Sequence, residues 1–161
     1  MSDAATRLWQ LLDLVAKEDH HLAGVSGRLF ADVKGDVAAT WLASVLGTPE
    51  GIDRLESFIG KFSRMQDTMM DKLRPTFLLA VGERKGTVLD NLNLAQKLGF
   101  VADPNAWLAM RLLRNRLVHE YVDDLVELAA ALQKARDLTG QLSETHGAIR
   151  RYADEHLHAA P

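Results

Sequence analysis

Along residues 3–33, Leu8, Leu11, Val15, Leu22, Val25 and Leu29 recur at helical spacing, with Glu18 standing where the stripe skips a position. Spacings of three and four place side chains on one face of an α-helix, whereas a strand needs a period of two. The rhythm returns in Ile52, Leu55, Ile59, Phe62, Met69 and Leu73. It returns again in Leu125, Leu128, Leu132, Ala135, Leu142, Ile149 and Ala153. No segment alternates like a strand and no Asn-Gly pair marks a hairpin. Long amphipathic stripes with short connections predict an all-α, up-and-down bundle of four to five main helices. One domain spans residues 1–161, with 153–161 expected as a loose tail.

Local signals divide the stripes. Gly24 and Gly27 weaken the first helix and offer room for another helix to approach closely. Gly35 ends the pattern, and residues 36–46 read as a short helix or turn carrying Trp41, closed by Gly47. Thr48-Pro49 is a capping hydroxyl followed by proline at the first helical position. Pro75 should kink or end that helix, since it lacks an N–H and crowds the carbonyl of Asp71. One more turn is expected over 77–81, before Gly82 and a polar loop at 83–86. Thr87 with Asp90 resembles a capping box for a helix through Val88, Leu92 and Ala95, closed by Gly99. Asp103-Pro104 opens a central helix, and Asp123-Asp124 marks a kink or a new N-terminus. Gly140 and Gly147 suggest bending or fraying in the last helix.

The central helix carries the chemistry. Over residues 107–122, Trp107, Leu108, Met110, Leu112, Leu117, Val118 and Val122 cover a broad apolar arc. Arg114, Asn115, His119 and Tyr121 fall inside it, with Arg116 and Glu120 opposite. The sequence marks this as its one place where charged and hydrogen-bonding groups enter an apolar pattern. A buried, unpaired arginine costs several kcal/mol, so such a position is a candidate functional site. The arc is wider than one bundle core needs, which predicts a homodimer meeting along this helix. Arg114 and His119 are five residues apart and diverge by about 140° on one helix, but two subunits would bring both into a shared cleft. Asn115, one turn before His119, can orient its ring. Imidazole can move protons to or from a ribose 2′-hydroxyl or a leaving oxygen, and guanidinium stabilises charge on phosphorus. Spacing alone leaves open a buried Arg–His–acid network that only fixes helix register.

Arg114-Asn115-Arg116-Leu117-Val118-His119-Glu120-Tyr121 resembles the signature of the HEPN superfamily, specifically the Arg-x4-His-x-Tyr motif of HepT-like toxins. The preceding Leu98-Gly99-Phe100-Val101 through Trp107-Leu108 is similar to the helical partner proteins of nucleotidyltransferases. The resemblance covers residues 52–142, with the sharp match in eight residues; the first helix and the 36–46 insert lie outside it. It implies a four- or five-helix bundle, a homodimer and a metal-independent endoribonuclease silenced by a small minimal nucleotidyltransferase (MNT) antitoxin. By the motif, Arg114 and His119 are catalytic with Asn115 beside them, and Tyr121 receives AMP from the partner enzyme. Arg111, Arg116 and Glu120 are expected to support the site or contact RNA. The alternative is a non-catalytic partner or substrate-binding subunit of a nucleotidyltransferase, and a third reading is a structural dimerisation domain.

Composition constrains the rest. A net charge of −3 gives no global basic field, so any RNA contact must be local. The absence of cysteine excludes disulfides, thiol nucleophiles and cysteine-type zinc sites, and fits a reducing cytoplasm. No apolar run approaches a membrane span and the first residues form a polar amphipathic segment without a signal-peptide core, so a soluble cytoplasmic protein is expected. No cofactor or metal is expected, as no glycine-rich phosphate loop, Ser-His-Asp set or carboxylate-metal motif occurs. Adjacent His20 and His21 diverge on a helix and suit no common metal ion. Met65, Met69 and Met70 read as core filler. Arg150-Arg151 is a short cationic spot near a helix end, and His156 and His158 fall in the expected tail.

Overall fold

A computed structural model of the chain describes residues 3–82, 112 and 124–157. Every regular element among these residues is helical, and the protein is an all-α helical bundle. The first stripe forms α1, Asp3–Leu29, with Asp3 in its first turn and Arg28 in its last, each favourable to the helix dipole. Its stripe residues Leu8, Leu11, Val15, Leu22, Val25 and Leu29 are buried as the spacing predicts, while Leu14 is exposed. The helix stops short of residue 33. Phe30 leaves it to stack on Trp41, 5.5 Å between ring centroids, and to meet Phe58 edge-on at 5.2 Å. Gly35 then turns the chain at a φ of 81°, a left-handed conformation suited to glycine. The expected close approach at Gly24 and Gly27 does not occur among the described residues. A Cβ at Gly27 would meet nothing, and one at Gly24 only the side chain of Arg28.

The insert over 36–46 contains α2, Ala39–Leu46, capped by Gly47. Thr48 and Pro49 then open α3, Pro49–Thr68, and the Thr48 hydroxyl accepts from the Gly51 N–H at 3.0 Å. Gly51 is required at this corner, because a Cβ there would run into the carbonyl oxygen of Val45. Pro75 does not end the helix. The chain passes through a π-helical turn, Met69–Leu73, into α4, Arg74–Ala80, with the Arg74 N–H donating to the Met69 carbonyl five residues back. The wider turn relieves the crowding that a proline imposes on the α register. Gly82 follows at a φ of 87°.

Asp124 caps the last described helix, α5, Leu125–His156, accepting from the N–H groups of Val126 at 3.0 Å and Glu127 at 3.3 Å. The helix runs through Gly140 and Gly147 without a break. It also runs through the start of the expected tail, since Ala153 is fully buried and anchors that turn. α1 is antiparallel to both neighbours. Phe30 meets Phe58 and Glu18 meets Thr68 on α3, while Leu12 meets His146 and Asp19 meets Ser143 on α5. Gly82 and Asp124 therefore lie at opposite ends of the bundle. No described helix is long and apolar enough to cross a membrane.

Candidate functional site

The motif residues Arg114, Asn115, His119 and Tyr121, with Arg111, Arg116 and Glu120, lie outside the described residues. So do the expected helices at 87–99 and from 104 onward. The exception is Leu112, which is helical and 71% exposed. What the described residues place together is a second set of polar groups inside apolar stripes, which corrects the expectation that 114–121 is the one such place.

Arg74 is the sharpest of these. It is only 2% exposed, at the start of α4 among Met70, Leu73 and Phe77. Burial pulls its guanidinium well below the usual value, to about 9, so it stays charged at neutral pH. The sequence carried a signal for it, because Met70, Arg74 and Phe77 are spaced four and three. Phe77 packs edge-on against Tyr152 of α5, centroids 5.4 Å apart, and Tyr152 meets His156 at 4.3 Å. The imidazole of His156 is thereby held on the helix rather than in a loose tail.

Glu18 is the second. It occupies the skipped position of the α1 stripe and is half-buried. Its Oε2 accepts from the Thr68 hydroxyl at 3.1 Å, and the same hydroxyl donates to the Arg64 carbonyl in an alternative arrangement at 2.9 Å. Its Oε1 is buried without a hydrogen-bond partner. Desolvation raises the pKa of Glu18, outweighing the Thr68 hydrogen bond and the charges of Arg64 and Lys72. Beside it, a cleft of about 350 Å³ between α1 and α3 is lined by Leu14, Lys17, Glu18, His21, Lys61 and Arg64. His21 packs edge-on to His20 at 5.9 Å. No metal-holding cluster of His, Asp and Glu occurs among the described residues.

Met65, Met69 and Met70 are core residues, as expected. Arg150 is committed within the fold. It pairs with Asp13 at 3.2 Å and lies 5.6 Å from the centroid of the Trp9 ring. Comparison with family models, with curated proteins and with solved structures gives no match to this chain.

Proposed function

We propose that this chain is a toxin-like, metal-independent endoribonuclease of the HEPN/MNT kind, a homodimer controlled by a cognate nucleotidyltransferase. The observation that carries the reading is the run from Arg114 to Tyr121, whose Arg-x4-His-x-Tyr pattern resembles the HepT-like signature. An all-α bundle is the architecture that such a motif requires, and this chain has one. The 71% exposure of Leu112 is in keeping with an apolar arc that reaches beyond the chain's own core.

In this mechanism His119 takes the proton from a ribose 2′-hydroxyl as its oxygen attacks phosphorus, or supplies one to the departing 5′ oxygen. Arg114 stabilises the charge that builds on the phosphoryl oxygens, and Asn115 orients the imidazole. Silencing uses ATP: the Tyr121 oxygen attacks the α-phosphorus, pyrophosphate leaves, and the attached AMP sets its phosphate where RNA would bind. Purified full-length chain incubated with RNA is the test. His119→Ala and Arg114→Ala should each lower cleavage by about 10²–10⁴-fold while circular dichroism stays unchanged. EDTA should have no effect, and Tyr121→Phe should stay active when the nucleotidyltransferase and ATP are added. Full activity without His119, or inhibition by EDTA, would overturn the mechanism.

A further inference from the structure

The cleft between α1 and α3 gathers three cationic side chains, of which Arg64 also attracts the Glu18 carboxylate. Leu14, Lys17, Glu18 and His21 share one face of α1, and Lys61 and Arg64 stand one turn apart on α3. Lys61 donates to the Ser57 hydroxyl at 2.8 Å and keeps two further protons. Neither Lys17 nor Arg64 makes a side-chain hydrogen bond or ion pair among the described residues. The lining contains one carboxylate, and it is turned away: Glu18 Oε2 binds Thr68 and Oε1 is buried in the helix interface. Three cations thus face one inward carboxylate on a chain whose net charge is −3. Leu14, 43% exposed, supplies an apolar wall beside them.

We infer that this cleft binds a small phosphate ester. The phosphate sits among Lys17, Lys61 and Arg64, with a ring N–H of His21 in reach, and the apolar body of the ester lies on Leu14. Ammonium and guanidinium groups make charge-assisted hydrogen bonds to phosphate oxygens, which are stronger than neutral ones. A cleft of about 350 Å³ lies within the size range of small-molecule sites. The inference is separate from the nuclease reading, since none of these residues belongs to the motif at 114–121.

The test is an amide-shift titration of the full chain with phenyl phosphate, alongside inorganic phosphate and a single-stranded oligoribonucleotide. Phenyl phosphate should bind saturably, moving amides over 14–21 and 57–64, and should bind more tightly than inorganic phosphate. Lys17→Gln and Arg64→Gln, both at exposed positions, should each weaken it about tenfold or more. Leu14→Ser should weaken phenyl phosphate but not inorganic phosphate. Non-saturable shifts spread over all surface lysines would overturn the inference, as would unchanged affinity in the two cation variants. Oligoribonucleotide binding through these same residues more tightly than phenyl phosphate would replace the small ester with RNA, and equally overturns it.

Discussion

α1 is held by two neighbours in two different ways. Against α3 and the π turn that follows it the contact is bulky and largely apolar: Phe58, Phe62, Met65 and Met69 are fully buried, and Glu18, bonded to Thr68, is the charged intruder. On α5 the buried residues mix large and small, with Leu132, Leu142 and Ile149 beside Ala135 and Ala153. That face is also laced with polar links. Arg150 reaches Asp13 at 3.2 Å, Ser143 donates to Asp19 at 3.2 Å, and His146 Nε2 meets the Leu12 carbonyl at 3.1 Å. Since a carbonyl only accepts, that ring nitrogen carries the proton. Beyond the helix end, Gln133 accepts from the Val37 N–H at 2.7 Å, and Arg136 donates to the Gly35 carbonyl at 3.0 Å while its guanidinium covers Phe30 at 5.3 Å. Large interlocking side chains fix register by shape. On the α5 side directional hydrogen bonds add to that fit of shapes.

The largest effect that separates the two faces is expected at Phe62. Phe62→Ala empties a fully buried volume on the apolar face and should cost about 3–5 kcal/mol of unfolding free energy in urea melts. On the laced face, Gln133→Ala removes the acceptor for the part-buried Val37 N–H and should cost about 1 kcal/mol. Its other readout is local, as faster hydrogen exchange at the Val37 amide with protection elsewhere unchanged. A loss at Gln133 as large as that at Phe62 would mean that the polar links carry stability as well as register.

The same contrast explains what could be read from the sequence. The apolar face announces itself, because Leu55, Ile59 and Phe62 repeat at helical spacing, and the caps at Thr48 and Asp124 follow from residue type and position. The tie from Gln133 to Val37 joins residues far apart in sequence through one hydrogen bond, and no periodicity encodes it. The π turn arises from a conflict between Pro75 and a continuous apolar stripe. Sequence states the conflict but not whether the helix breaks or widens. The pattern at 114–121 stands out in the sequence because it is contiguous, and it lies outside the described residues. The phosphate cleft does not stand out, since Lys17 and Arg64 each look like an ordinary solvated charge until α1 and α3 are set side by side. Arg74 was legible in principle from its spacing to Met70 and Phe77, but a charge next to proline is easily taken for a loop signal.

The smallest effect is expected at Glu18, because the carboxyl is only half-buried and water screens much of its cost. Burial raises its pKa in the folded chain above the unfolded value of 4.5. The folded state therefore holds this proton more tightly. The resulting stabilisation is complete below pH 4.5 and is lost as pH rises through the raised folded pKa. Above that raised pKa the wild type carries a partly desolvated carboxylate in its largely apolar face. Glu18→Gln keeps an oxygen to accept from Thr68 but has no charge to desolvate. It forgoes the attraction of Arg64 and Lys72, which is the weaker influence on this group. The variant should thus be more stable than wild type at pH 7, and the gain should shrink steadily as pH falls toward 4.5. Paired urea melts across that range measure it. A difference that stays constant with pH, or a variant less stable at neutral pH, would mean that the carboxylate is a structural asset and that the α1–α3 face depends on charge after all.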